Sequence, residues 1–366
     1  MKNNFKKNFK KLLKLPNVKQ TPIQKMVGNG NVECGVCERR CVIPLNKRGV
    51  CNTKININSK LYSLVYGDIS SLQSRPIEIK PFFHFYPGSR ALTFSTWSCN
   101  FKCPWCQNYT LSKKKPNPLK ANYISPEDIV SLAINERDNG ICVSFNEPTM
   151  LFEYSLDVFK LAKEKGLYNC YVSNGYMTEK AIEMLAESGI DAIKIDVKGD
   201  REAYIKYPKD INNEVVWRNA KYAKELGLHV EMVFLIIPGV NNSPNVIEEI
   251  INKHLKTLGS QVPLHFTRYF PAYKFINSST SIRTLEWAYN KAKEKGILFP
   301  YIGNVIGHDY ENTYCPNCGE VLIKRFGFQI ISYGITKDKK CPSCGEKIPI
   351  IGSPPKKLTQ LIWKQT

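Results

Sequence analysis

Short hydrophobic runs recur along the chain, and each is followed by a stretch with the spacing of an amphipathic helix. Six such strand–helix pairs are predicted between residues 91 and 295. The runs are apolar almost throughout, which is typical of parallel strands buried on both faces. Capping residues support the helices, such as Ser125 before Pro126 and Gly166 after a later helix. The predicted strands span residues 91–96, 140–145, 168–173, 192–196, 229–236 and 263–269.

The alternation of strands and helices predicts an α/β fold with a parallel sheet covered by helices. Six repeats rather than eight favour a partial (β/α)6 barrel of the TIM type over a doubly wound sheet. A barrel that lacks two repeats has a lateral opening, which can admit a loop of another protein or of RNA. In both architectures the functional residues are expected at the carboxyl ends of the strands.

Cysteine-rich segments flank this predicted core on both sides. In the N-terminal tail, Phe5, Phe9, Leu12 and Leu13 recur at helical spacing among lysines. This pattern predicts a helix that packs on the protein, with a helix on a membrane surface as the alternative. The predicted organisation is a basic tail (1–30), an N-terminal Cys-rich module (31–84), the barrel core (85–305), a module like a zinc ribbon or rubredoxin (311–352) and a C-terminal tail (353–366).

Composition narrows the possible functions. The net charge of +20 over 366 residues fits a nucleic-acid partner, but it also fits a composition that is merely rich in lysine. No hydrophobic run approaches the roughly 18 residues of a membrane span. The N-terminus lacks the apolar segment of a signal peptide, so a cytoplasmic location is predicted. In that reducing compartment the 13 cysteines are not expected to form disulfides, and those in tight spacings are expected to bind metals or clusters.

Cys99, Cys103 and Cys106 form a C-x3-C-x2-C pattern directly after the first predicted strand. Three thiolates are too few for a structural zinc site, which takes four ligands. They suffice to hold three irons of a [4Fe–4S] cluster and leave the fourth iron open for a ligand. The alternatives are a zinc site completed by a distant histidine or aspartate, and three thiols that bind no metal. An open iron would indicate chemistry rather than a structural role.

Two further groups contain four cysteines each, and four thiolates close a tetrahedral metal site. The C-terminal group has the spacing of a zinc ribbon, which predicts structural zinc, with rubredoxin-like iron as the alternative. The N-terminal group fits either zinc or an auxiliary iron–sulfur cluster. The groups are Cys315, Cys318, Cys341 and Cys344 at the C-terminal end, and Cys34, Cys37, Cys41 and Cys51 at the N-terminal end.

The triad, with Trp105 as the aromatic residue before its third cysteine, resembles the signature of the radical S-adenosylmethionine (SAM) superfamily. The resemblance runs from about residue 31 to residue 352. Within the superfamily the chain resembles the branch related to pyruvate formate-lyase activating enzymes. It is most similar to the AmmeMemoRadiSam subgroup, whose members occur beside Memo-like and AMMECR-like proteins. The closer match lies in residues 84–90, 106–108, 144–149, 173–176, 196–198, 237–242 and 265–269.

The resemblance implies a definite chemistry. The triad would hold a [4Fe–4S] cluster, and its open iron would be chelated by the amino and carboxylate groups of SAM. A one-electron donor such as ferredoxin or flavodoxin would reduce the cluster. Reductive cleavage of SAM then gives methionine and a 5′-deoxyadenosyl radical, which takes a hydrogen atom from the substrate. The cofactor carries this chemistry, while the protein orients the reactants and excludes water.

The resemblance also implies which residues bind SAM. Glu147 stands where the family motif takes the ammonium group, but Phe145 and Asn146 replace the two glycines that usually precede it. Lys198 would neutralise the methionine carboxylate, or would instead pair with a neighbouring aspartate as a solvated charge. The implied SAM-binding residues are Trp105, Asn146, Glu147, Ser173, Asn174, Lys198 and His265.

These inferences predict a radical SAM oxidoreductase that acts on a macromolecule. The first hypothesis is protein modification of the glycyl-radical activase kind, with Memo-like and AMMECR-like proteins as possible partners. The second is radical modification of RNA or lipid, which would use the positive charge. A third is a zinc-ribbon nucleic-acid binder with a vestigial barrel, against which the intact triad argues.

Overall fold

A computed structural model describes residues 9–355 of the chain. The chain divides into two compact units, each made of two segments. The first unit combines Met1–Ser74 with Ala91–Asp191, and the second combines Arg75–Arg90 with Ala192–Thr366. The five segments expected from the sequence stay a prediction. Phe5 and most of the C-terminal tail lie outside the described residues.

The first unit begins with two small antiparallel sheets. The sheet β1-β6-β5 and the sheet β2-β3-β4 each contain three strands. Ile55, Ile57 and Leu64 form an apolar cluster, against which Phe9 and Leu12 of the N-terminal tail pack. The tail therefore packs on the protein in its described part, as predicted. The strands are β1 (Lys19–Gln20), β2 (Gln24–Met26), β3 (Val32–Cys34), β4 (Val42–Ile43), β5 (Lys54–Ile57) and β6 (Lys60–Ser63).

The rest of the first unit contains the three parallel strands β8, β9 and β10, the strand β7 beside β8, and helices. Ala91 of β8 and Tyr168 of β10 both pair with Gly140 of β9, which fixes the register of the three parallel strands. Ser125 and Thr178 cap helices by accepting hydrogen bonds from backbone N–H groups of the first turn. The elements are β7 (Ser71–Pro76), β8 (Arg90–Ser95), β9 (Gly140–Val143) and β10 (Tyr168–Ser173), with helices α1 (Tyr109–Ser112), α2 (Pro126–Asn135), α3 (Phe152–Glu164) and α4 (Glu179–Glu187).

The second unit contains four parallel strands in the order β11-β12-β13-β14. The sequence pattern did not predict β14. This strand lies at an edge of the sheet and begins with Pro300, a position where proline removes no needed hydrogen bond. The elements are β11 (Ala192–Val197), β12 (His229–Ile236), β13 (Leu264–Arg268) and β14 (Pro300–Gly303), with helices α5 (Arg201–Lys206), α6 (Asn213–Glu225), α7 (Pro244–Leu258) and α8 (Ile282–Glu294). The predicted α/β class with parallel strands is confirmed.

The second unit ends in a small antiparallel sheet, β15-β16-β17. Its apolar residues, including Leu322 and Ile330, share one core cluster with Phe83, Phe299 and Tyr301. The cysteine-rich end of the chain therefore packs on the α/β part of its own unit. Its strands are β15 (Thr313–Tyr314), β16 (Val321–Phe326) and β17 (Gln329–Tyr333). Within residues 9–355, no helix combines the length and the apolar character that a membrane span requires.

A buried ion pair joins the two parts of the first unit. Lys54 of β5 pairs with Glu153 of α3, and each side chain is only 2% exposed. A buried pair is a weak source of net stability, because desolvation offsets the Coulomb attraction. Removing one partner, however, leaves a buried charge uncompensated.

We therefore expect Lys54→Met to destabilise the protein by about 3–5 kcal/mol. The double variant Lys54→Met/Glu153→Leu should recover most of that loss, since it removes both charges. Denaturant unfolding, followed by fluorescence, measures both changes. A single variant as stable as the wild type would contradict the assignment of a buried, paired charge.

Candidate active site

The three cysteines of the triad lie in one loop that begins just after β8. Cys103 is buried, while Cys99 and Cys106 are partly exposed. The backbone N–H of Phe101 donates a hydrogen bond to Cys99 Sγ at 3.3 Å, and Cys106 Sγ lies 3.1 Å from Ser112 Oγ. Trp105 is buried. The loop therefore presents three thiols whose backbone is held by the surrounding chain.

Asn174, at the end of β10, contacts this cysteine loop. Its Nδ2 donates a hydrogen bond to Asn100 Oδ1 at 2.8 Å and lies 4.0 Å from Cys99 Sγ. Sequence reasoning missed Asn100, because its position inside the triad spacing gives it no signal of its own. The amide pair joins the end of the third predicted strand to the triad.

Glu147, just after β9, is buried and satisfied by the chain around it. Its carboxylate accepts hydrogen bonds from Ser173 Oγ and from the backbone N–H of Asn174, both at 2.8 Å. It also accepts from the backbone N–H of Thr149 at 3.2 Å. Burial raises the pKa of Glu147, and these hydrogen bonds oppose the rise. Ser173, Asn174 and Glu147 are thus brought together, as their places at the strand ends suggested.

The two residues that replace the expected glycines still form a tight turn. Phe145 has φ +66°, in the left-handed region that glycine favours. Its carbonyl accepts a hydrogen bond from Asn108 Nδ2 at 2.6 Å, and Asn146 Nδ2 donates to the carbonyl of Ser98 at 2.7 Å. Phe145 therefore adopts a backbone conformation that glycine favours, despite its large side chain.

Two buried polar atoms near the triad have no hydrogen-bond partner among the described residues. They are Asn100 Nδ2, a donor, and Asn146 Oδ1, an acceptor. Buried polar groups are normally paired, so each such atom calls for an explanation. A donor and an acceptor beside three thiols fit a polar ligand at the cluster, such as the amino acid part of SAM.

Lys198 and His265 belong to the second unit, and both are engaged there. Lys198 Nζ lies 3.1 Å from Asp196 Oδ2, and Lys194 pairs with the same carboxylate. Burial opposes the charge on Asp196, but the two lysines outweigh it and lower the pKa of Asp196 to about 2. The pair with Asp196 is the alternative that the sequence left open for Lys198. Its role toward SAM stays a prediction.

His265 lies in a buried cluster around Glu231 of β12. His265 Nε2 is 2.7 Å from Glu231 Oε2, and the same carboxylate accepts from the backbone N–H groups of Phe83 and His84. His229 Nε2 lies 2.9 Å from the other oxygen. The sequence signal for Glu231 was a lone acid in an otherwise apolar strand. The structure gives His265 a partner inside the unit, and its predicted role in binding SAM stays a prediction.

The C-terminal cysteines form a compact set. The sulfur atoms of Cys315, Cys318, Cys341 and Cys344 all lie within 4.8 Å of one another. The N–H of Glu346 is the main cause that lowers the pKa of Cys344 to about 7, which favours the thiolate that metals bind. In the described part of the chain no other set of three or more such side chains is this tightly gathered. Four converging thiols suit a metal ion, as the ribbon spacing predicted.

The N-terminal cysteines lie around β3 and β4. Cys34 ends β3, and its backbone N–H donates to the carbonyl of Cys41 at 2.9 Å. Burial raises the pKa of Cys37, and the neighbouring thiols of Cys34 and Cys51 raise it further. The backbone hydrogen bond brings Cys34 and Cys41 close together. A metal that stabilises the thiolates would relieve the cost of their burial.

Comparison with known proteins decides the family. A family model described as the radical SAM superfamily matches residues 95–253, which include the triad, Glu147 and Asn174. The chain is also 41% identical over 326 residues to the uncharacterized protein MJ0808 of Methanocaldococcus jannaschii, covering 88% of this chain and 96% of that protein. The chain belongs to the radical SAM superfamily.

Two further proteins are similar to this chain. The radical SAM chain is 23% identical over 184 residues to the pyruvate formate-lyase-activating enzyme of Streptococcus mutans, covering 47% of this chain and 68% of that enzyme. It is also similar to SuiB of Streptococcus suis bound to S-adenosylmethionine, with a TM-score of 0.47 and 15% identity over 58% of this chain and 52% of that one. The superfamily implies a [4Fe–4S] cluster and SAM as cofactors. The AmmeMemoRadiSam subgroup stays a prediction.

The compact C-terminal set of cysteines allows a test of whether these thiols bind a structural metal ion. Structural zinc contributes about 10–16 kcal/mol to small zinc-binding peptides, which matches or exceeds the stability of many domains. Zinc held by these four thiolates would be lost in Cys318→Ala, and residues 311–352 should then unfold. Elemental analysis and amide hydrogen exchange over that segment measure the two effects. Ser343→Ala, an exposed change beside Cys344, is the control. It should keep the metal and the slow amide hydrogen exchange of the segment. Equal rates of amide hydrogen exchange in the two variants would argue against a module that depends on a metal.

Proposed function

We propose that Cys99, Cys103 and Cys106 hold a [4Fe–4S] cluster whose open iron binds SAM. The enzyme would cleave SAM reductively and abstract a hydrogen atom from a macromolecular substrate. The observation that carries this proposal is the hydrogen-bonded connection from Asn174 to Asn100 within the cysteine loop. It brings the polar strand ends to three thiols that have no fourth cysteine beside them in sequence.

Each side chain near the triad has a task in this proposal. When bound, the cluster with SAM supplies the one-electron chemistry. Asn100 Nδ2 and Asn146 Oδ1 would donate to and accept from SAM, since both atoms are buried and lack another partner in the described chain. Glu147 keeps Asn174 in place through the backbone N–H of Asn174. Buried Trp105 would help to exclude water from the cluster.

We propose a protein as the substrate. Similarity to the pyruvate formate-lyase-activating enzyme of Streptococcus mutans supports a modification of the glycyl-radical activase kind. Ferredoxin or flavodoxin is the proposed electron donor, whereas Memo-like and AMMECR-like partners rest on the sequence resemblance alone. The net charge of +20 favours RNA as the second candidate. Tight RNA binding that weakens steeply with salt would support RNA instead, because it reports contacts with phosphates.

The cluster assignment predicts a sharp difference between two cysteine variants. After anaerobic reconstitution, Cys103→Ala should lose about four irons and all formation of 5′-deoxyadenosine, because a [4Fe–4S] site with two ligands is incomplete. Cys142→Ala is the matched control, since Cys142 is a buried cysteine inside β9. Its iron content and product yield should equal those of the wild type. Formation of 5′-deoxyadenosine by Cys103→Ala would refute the assignment.

Lys198 offers a second test. Asp196 also pairs with Lys194, so a turn of the Lys198 side chain toward a ligand carboxylate would not leave Asp196 without a cation. A charge-assisted bond contributes about 1.5–3 kcal/mol. Lys198→Ala should therefore weaken SAM binding by about one to two decades. Calorimetric titration of the reconstituted protein measures this change, with the exposed Arg201→Ala as the control. An affinity within about threefold of the control would assign Lys198 to Asp196 alone.

A further inference from the structure

The N-terminal cysteine segment, residues 34–51, is called the knuckle below. It contains Cys34, Cys37, Cys41 and Cys51, and its named strands are only the last residue of β3 and the two-residue strand β4. Its buried apolar side chains are few, such as Val36 and Ile43. A segment of this size does not form a stable core of its own, so another interaction must organise it. The contacts of the knuckle lead to three segments around the triad.

The first contact of the knuckle is with the chain just after Asn174. Cys37 pairs with Met177 as an isolated antiparallel bridge. The backbone N–H of Glu38 donates to the carbonyl of Tyr176 at 3.0 Å, and that of Thr178 donates to Val36 at 3.3 Å. The stretch between the first and third cysteines thus pairs with residues 176–178.

The hydroxyl of Thr178 strengthens the same contact. It donates to the carbonyl of Gly35 at 2.6 Å, and its oxygen also caps helix α4. One side chain therefore fixes both the knuckle and the helix that follows β10. The position of Asn174 depends on this segment, since Asn174 is only four residues before Thr178.

The second contact reaches the cysteine loop of the triad. Arg39 Nε donates to the backbone carbonyl of Asn100 at 2.7 Å. Asn100 is the residue that accepts from Asn174. Arg39 lies between Cys37 and Cys41, so the knuckle holds Asn100 from one side while Asn174 holds it from the other.

The third contact reaches the segment after β9. Cys51 Sγ lies 3.1 Å from Thr53 Oγ1, and that hydroxyl lies 3.7 Å from Met150 Sδ. The next residue, Lys54, forms the buried pair with Glu153. Both Met150 and Glu153 lie a few residues after Glu147. The chain around the fourth cysteine is therefore attached to the segment that positions this carboxylate.

We propose that the four knuckle thiolates bind one metal centre, zinc or a second iron–sulfur cluster, which braces the three segments around the triad. This inference rests on the proposed function and extends it to a second site. A metal bound by four thiolates supplies folding energy to a segment without a core. Without it the knuckle loses its shape, and Asn100, Glu147 and Asn174 lose their common support. The knuckle is thus a positioning module, separate from the chemistry.

The first experiment does not depend on the triad cluster. The full chain with Cys99, Cys103 and Cys106 all replaced by alanine should retain one knuckle centre besides the C-terminal metal. Adding Cys41→Ser should remove that centre and speed amide exchange of Glu38 and Thr178 about tenfold or more, because their hydrogen bonds to Tyr176 and Val36 open. The C-terminal metal should stay.

The identity of the centre follows from the same samples. Zinc by elemental analysis without visible absorption identifies a zinc site. About four irons with the absorption and electron paramagnetic resonance of a cubane identify a cluster. Either result supports the proposal. Metal content that Cys41→Ser leaves unchanged, or exchange rates that it does not alter, would overturn it.

The second experiment tests positioning with the metals intact. Arg39→Ala should weaken SAM binding about tenfold, equal to about 1.4 kcal/mol, without loss of metal. The Arg39→Ala change should also diminish the effect of SAM on the electron paramagnetic resonance spectrum of the reduced triad cluster. Arg39→Lys, which keeps a donor, should restore part of both.

Arg40→Ala is the matched control, since Arg40 pairs with Glu38 at the surface. Equal effects of Arg39→Ala and Arg40→Ala on SAM binding and on the spectrum would overturn the positioning role. A wild-type protein that binds no SAM would instead refute the proposed function, while the metal and exchange experiment would still decide on the knuckle.

Discussion

The buried carboxylate of Glu147 ties the ends of two parallel strands together, and the geometry around the triad depends on it. Glu147 follows β9, and it accepts hydrogen bonds from Ser173 and Asn174 at the end of β10. An unpaired carboxylate would be costly at this depth, so the donors around it are needed as much as the acid itself. Because Asn174 is held in this way, its amide can reach Asn100 in the cysteine loop.

The second unit also contains a buried carboxylate in its parallel sheet, that of Glu231. This carboxylate also accepts hydrogen bonds from backbone N–H groups. Its remaining partners are His229 and His265, so its donors belong to the protein throughout. Near the triad, Asn100 and Asn146 each keep a buried polar atom with no partner among residues 9–355, and His265 Nδ1 beside Glu231 does so as well. What distinguishes the atoms near the triad is that they lie on the cysteine loop and on the segment after β9, whose chain contacts that loop.

The two groups of four cysteines differ in what surrounds them. The C-terminal set gathers its sulfur atoms within 4.8 Å beside a shared apolar core. The knuckle has little core, and several of its contacts lead to the strand ends around the triad. In the first case the metal would stabilise a module that packs on its own unit. In the second it would stabilise the segments that prepare a site for SAM.

The sequence by itself determined the elements and the candidate chemistry. Apolar runs predicted the parallel strands β8 to β13 but not β14, and Ser125 predicted a helix start that the structure confirms. The triad and the ribbon spacing were visible because their residues lie close together along the chain. Only the tertiary structure decided which polar groups meet. Asn100 gave no signal, and Arg39 lies 61 residues from the carbonyl that it contacts. A hydrogen bond depends on positions within a few tenths of an ångström, and residues far apart in sequence reach them only when the whole unit has folded.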